Sequence, residues 1–155
     1  MIFLHINDSM KDIDLFNKYV QEGKHVFVLI FMEGCGPCEE TKPKWKQLET
    51  QLSKQYKNNN DVVVADINKK LLNFIQIVGS VEGFPTMKYI HKKGAKMETY
   101  EESKIITKDR STSSFVQWIE NKIKNVSLGK QKGGRKKSKK NRKMKNIRRR
   151  KTRKY

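Results

Sequence analysis

The sequence predicts an α/β fold, a mixed central sheet flanked by helices, with a basic segment appended after it. Three observations carry that expectation. The apolar run Val26-Phe27-Val28-Leu29-Ile30-Phe31-Met32 is too short to span a membrane and suits a strand buried on both faces. Further runs of this kind alternate with segments of helical periodicity in the order βαβαβαββα. Charge is divided as well: of the formal net charge of +19, residues 127–155 contribute +16 without one acid, and residues 1–126 only +3. Residues 1–126 are therefore expected to form one globular domain, and 127–155 a disordered Lys/Arg-rich tail.

Taken in order, Phe3 to Ile6 reads as a first strand, and Asn7-Asp8-Ser9 offers turn and cap chemistry. Leu15, Phe16, Tyr19 and Val20 recur at helical spacing up to Gly23. The strand from His25 to Met32 follows, and then a helix with Trp45, Leu48, Leu52 and Tyr56 on one face, bent at Pro43. Val62 to Ala65 is a second buried strand, and Leu71, Leu72, Ile75 and Val78 suggest another helix ending at Gly79. Gly83-Phe84-Pro85-Thr86 leads into a strand from Met87 to Ile90, which a Lys92-Lys93-Gly94 turn joins to a last strand near Met97 to Tyr100. Ser111 to Ser114 can cap a final helix carrying Phe115, Trp118, Ile119 and Ile123.

The chemistry concentrates at Cys35-Gly36-Pro37-Cys38, where the long strand meets its helix. Two thiols at this spacing can close a small disulfide and open it again, and helix amide groups would stabilise a thiolate on the first. A zinc site is the weaker reading, because zinc usually takes four N/S ligands and His5, His25 and His91 show no paired spacing. Two inert thiols are the remaining alternative. Cys35 and Cys38 are the only cysteines, so no disulfide framework staples the fold, which points to a reducing compartment. The first residues lack a basic n-region and no segment reaches the length of a membrane span. These features suggest a soluble intracellular monomer that is not secreted.

With these residues in view, the chain resembles thioredoxin-fold proteins of the thioredoxin and protein disulfide isomerase group. Cys-Gly-Pro-Cys, the proline at 43 and Phe84-Pro85-Thr86 carry the likeness, and Arg110 to Ile119 is similar to the end of disulfide isomerase domains. The resemblance implies a thiol–disulfide oxidoreductase acting on protein disulfide or dithiol substrates, with neither metal nor cofactor. Cys35 would be the exposed attacking thiolate and Cys38 the buried resolving thiol. Gly36 and Pro37 would shape the motif, and Phe84 beside a cis Pro85 would bind extended substrate.

Three departures stand out. Gly34 replaces the tryptophan usual before the first cysteine, leaving Cys35 more open. Leu29 replaces the family's buried carboxylate. That carboxylate's lysine partner, sought within Val62 to Ala65, is missing too, which avoids burying a lone charge. Glu33 and Arg110 are the candidates to stand in. These losses motivate a competing reading, a non-catalytic thioredoxin-like binding or virion-associated module anchored by the basic tail.

The tail, with Arg135, Lys136, Lys137, Arg148, Arg149 and Arg150 in its basic runs, suits nucleic acid or another polyanion. A nuclear address and a merely solubilising role are the other readings. Tyr155 is its only aromatic residue, which argues against base stacking. Its composition also looks like basic tails on proteins of large nucleocytoplasmic DNA viruses, suggesting a giant-virus protein packaged in the virion beside the genome.

Overall fold

The computed structural model describes residues 1–75 and 77–131, with side chains to residue 125. Its strands are β1 (Ile2–Ile6), β2 (His25–Phe31), β3 (Val62–Asn68), β4 (Thr86–His91) and β5 (Lys96–Thr99); its helices are α1 (Met10–Gln21), α2 (Gly36–Leu52) and α3 (Thr112–Gln131). The sheet order is β1-β3-β2-β4-β5. β1 and β2 run parallel to β3, β4 runs antiparallel to β2, and β5 closes the edge as an antiparallel hairpin. The expected mixed sheet is present. Residues 132–155, which include the six basic positions singled out above, lie outside the described residues, as does the bulk of the expected tail.

Two apolar layers follow from strand alternation. On one face, Val26, Val28 and Ile30 of β2 join Ile13, Phe16 and Val20 of α1. On the other, Phe27 and Leu29 join Trp45, Leu48 and Leu52 of α2 and Phe115, Trp118 and Ile119 of α3. Every residue of β2 is buried, as a central strand covered twice requires. Ser9 caps α1 by accepting a hydrogen bond from the amide of Asp12 at 3.3 Å.

One element differs from expectation. Leu71, Ile75 and Val78 are buried and Leu72 packs beside them, but the helix is only a 3-10 turn from Lys69 to Phe74. Ile75 is already extended, with φ −102° and ψ 116°. The β-branched residues Ile75, Ile77 and Val78 disfavour another helical turn, and a run of apolar residues can be buried from an extended path as well as from a helix.

Candidate active site

The site begins where β2 ends. Gly34 takes φ +71°, a turn that glycine makes at little cost, and delivers Cys35 as the N-cap of α2. There Cys35 Sγ accepts a hydrogen bond from the amide of Cys38 at 3.3 Å, and Pro37 stands in the first turn, where its missing N–H costs nothing. The helix N-terminus thus points its amides and the positive end of its dipole at the first sulfur. Cys35 and Cys38 are joined as a disulfide with Cα atoms 5.2 Å apart. α2 continues through Pro43, whose missing amide leaves the carbonyl of Glu39 without its helical partner.

Apolar packing sets the accessibility of the pair. Phe31 clusters with the two cysteines, and Met32 and Phe84 pack against that cluster. Cys35 is not the exposed thiol expected: it keeps only 9% exposure, and Cys38 1%, so both cysteines are buried. The expected opening beside Gly34 is smaller than supposed, because Phe31 and Phe84 shield the sulfur. Lys42 and Lys69 lie over the rings of Phe31 and Phe84, at 3.9 and 5.3 Å from the centroids.

The second wall comes from the loop before β4. The Phe84–Pro85 peptide is cis, and Cys35 Sγ lies 3.7 Å from the carbonyl oxygen of Phe84. Phe84 and Pro85 also line a groove of about 520 Å³ with Gly83, Lys88, Glu101 and Arg110. Cys35, Cys38, Gly36, Pro37, Phe84 and Pro85 are thus brought to one end of the sheet, although 49 residues separate Cys35 from Phe84.

The family model described as thioredoxin matches residues 8–121. The chain belongs to the thioredoxin family. Over 101 residues it is 28% identical to a protein disulfide-isomerase of Drosophila melanogaster, covering 65% of this chain and 18% of that one. It is 31% identical over 109 residues to a protein disulfide-isomerase of Schizosaccharomyces pombe, covering 69% and 28%. The chain therefore spans less than a third of the length of these relatives. Among solved structures, the zinc-bound form of human ERp44 aligns with a TM-score of 0.57 at 15% identity, over 77% of this chain and 30% of that one. The Trx4 domain of ERdj5 aligns at 0.52 and 15%, over 81% and 98%. At such identities these two show the fold alone.

Within the thioredoxin fold, one expectation needs correcting. The residue paired with Leu29 on β3 is Asp66, one place beyond the Val62 to Ala65 stretch in which a lysine was sought. A buried carboxylate is present after all: Asp66 is fully buried and hydrogen-bonded to His5 of β1. The two stand-ins are occupied elsewhere. Glu33 accepts a hydrogen bond from Asn68 Nδ2 at 2.7 Å and is largely exposed, and Arg110 pairs with Glu101 at 3.2 Å.

Lys88 was also not foreseen. It is buried in β4, and its ammonium donates to the carbonyls of Val78, at 2.8 Å, and Ser80, tying down the segment that leads to Phe84 and Pro85. Burial lowers its pKa. A lysine inside the otherwise apolar run Met87 to Ile90 was the available signal. No cluster of three or more His, Cys, Asp or Glu able to hold a metal occurs among the described residues. No helix there is long and apolar enough to cross a membrane.

Proposed function

We propose that this protein is a thiol–disulfide oxidoreductase acting on protein substrates. The observation that carries the reading is the disulfide-linked Cys35–Cys38 pair at the N-terminus of α2, facing the Phe84 carbonyl across a short gap. Cys35 attacks a substrate disulfide as the thiolate and forms a mixed disulfide. Cys38 then resolves it, leaving the substrate reduced and the pair oxidised. The backbone of Phe84, next to Pro85, holds an extended substrate segment as a short added strand, and the adjoining groove receives its side chains.

Equilibration in glutathione or dithiothreitol buffers, with alkylation of free thiols, tests this reading. The expected result is a reversible two-electron couple, whose potential separates a reductant from an oxidant or isomerase. Thiols that stay unpaired in every buffer would instead indicate a binding module.

The basic tail adds location to this chemistry. Its +16 charge would hold the domain on nucleic acid or another polyanion, in the nucleus, the cytoplasm or a virion. Deleting residues 127–155 is expected to weaken binding to duplex DNA by about a hundredfold or more at low salt and to flatten its salt dependence, while leaving thiol exchange with small disulfides within about twofold. Retained affinity in a filter-binding or anisotropy titration would move the contact to the folded domain.

A further inference from the structure

Residues 77–85, which bring Phe84 to Cys35, form neither helix nor strand. Their backbone carbonyls must therefore be satisfied by side chains or by water. One side chain reaches two of them. Lys88 Nζ donates to the carbonyl of Val78 at 2.8 Å and to that of Ser80, back across ten and eight residues of chain.

The strand register places Lys88 for this. It is opposite Val28 of β2, and Val28 belongs to the apolar layer shared with α1. Alternation along β4 sends Lys88 to that side together with Ile90, where Val78 is buried and Val81 and Phe84 pack. Lys88 is only 7% exposed, and burial lowers its pKa against the pull of Glu102 and Glu82. Glu102 is itself held by the amide and hydroxyl of Thr99, at 2.8 and 2.9 Å. The ammonium spends its donors on the two carbonyls.

Gly79 completes the arrangement. It lies between those carbonyls at φ +66°, and a β carbon there would come 3.3 Å from Met97 Sδ and 3.6 Å from Lys88 Nζ. Glycine thus lets the chain close on the ammonium. Thr86 Oγ1 adds a hydrogen bond to the carbonyl of Gly83 at 2.6 Å. The loop is fastened at its base by Lys88 and near its tip by Thr86, and the tip holds the Phe84 carbonyl 3.7 Å from Cys35 Sγ. A loop ordered before substrate arrives loses less freedom on binding it.

We propose that Lys88, with Gly79, is a positioning residue for substrate: its ammonium fixes residues 78–84 so that the Phe84 backbone meets an extended peptide in line with Cys35. The inference rests on the oxidoreductase reading and deepens it, because Lys88 acts through the loop and not on a sulfur. It also sets a selectivity. The loop contributes only when the disulfide carries peptide, so loosening it costs peptide substrates more than small disulfides.

The test uses Cys38→Ser protein, in which adducts on Cys35 persist. The Cys35 thiolate bonds to one sulfur of a disulfide, and the other sulfur leaves as a thiolate. Rates of adduct formation are measured by rapid quenching and mass spectrometry, with an octapeptide disulfide and with 2-hydroxyethyl disulfide. Lys88→Met keeps the length and apolar bulk of the side chain and removes a buried charge, so the domain is expected to fold. It should lower the ratio of the peptide rate to the small-disulfide rate by about tenfold. Gly79→Ala, which retains the lysine, should lower the ratio in the same direction.

Amide hydrogen exchange over residues 78–84 reads the loop directly and should speed up in both variants. An unmoved ratio in Lys88→Met, or an equal fall in both rates, overturns the positioning role. A lowered ratio with unchanged exchange means direct contact with substrate and overturns it too. Gly79→Ala without effect removes the part given to Gly79. If the parent forms no adduct with either disulfide, the oxidoreductase reading falls, and this inference with it.

Discussion

Cys35→Ser is expected to remove disulfide reduction almost completely, by a factor on the order of 10³ or more in the rate of insulin reduction. The loss is chemical and not structural. Cys35 is the N-cap of α2 and its sulfur accepts the amide of Cys38. Serine is itself a preferred N-cap, so the helix start survives while a hydroxyl replaces the nucleophile. Cys38→Ser makes the useful contrast, because it leaves attack by Cys35 intact and strands the substrate as a mixed disulfide. Trapping such adducts on a gel separates the two variants. Insulin reduction by Cys35→Ser at the parent rate would refute the assignment of Cys35 as nucleophile.

The largest expected loss of stability comes from Trp45→Ala. Trp45 is 1% exposed, donates to the Ala65 carbonyl, and meets Phe115 of α3 edge-on with ring centroids 5.1 Å apart. It therefore ties α2 to the sheet and to α3 at once. Truncation removes that apolar volume and leaves a cavity between three elements, costing about 3–5 kcal/mol. A domain of this size has only about 5–15 kcal/mol in total, so the urea midpoint followed by circular dichroism should fall steeply. Trp45→Phe should lose less, since the aromatic contact persists and chiefly the indole hydrogen bond goes. A midpoint unchanged by Trp45→Ala would mean that α2 is held by other contacts.

Much of this architecture was legible because it rests on local rules. A strand covered on both faces must be continuously apolar, and β2 is. α3 repeats its apolar residues at helical spacing, and Phe115, Trp118 and Ile119 are buried as that spacing requires. In α1 the same rule found Phe16 and Val20 but passed over Ile13, which is buried while Leu15 is only partly so. The 69–78 segment shows where the rule fails. Burial of Leu71, Ile75 and Val78 is common to a helix and to a 3-10 turn followed by extended chain, and periodicity alone does not separate them.

The site divides in the same way. The cysteines, the glycine turn and Pro37 are neighbours in the chain, so their spacing already specified a dithiol at a helix start. Asp66 and Lys88 are different. Each is a charged residue in an apolar strand, and its meaning depends on what lies across the sheet: His5 and Leu29 for Asp66, the carbonyls of Val78 and Ser80 for Lys88. Counting along β3 without the register missed the position facing Leu29 by one residue, and in a strand one residue exchanges the faces.

By itself, then, the sequence determined the five strands, the three long helices, a dithiol at a helix start and the separation of a nearly neutral domain from a basic segment, because periodicity, spacing and charge are properties of the chain. Tertiary structure alone decided which buried charge stands opposite Leu29, how far Phe31 and Phe84 cover Cys35, and that β3 and β1 bring Asp66 and His5 together across 61 residues. Those outcomes depend on strand register and helix seating, which no local pattern specifies.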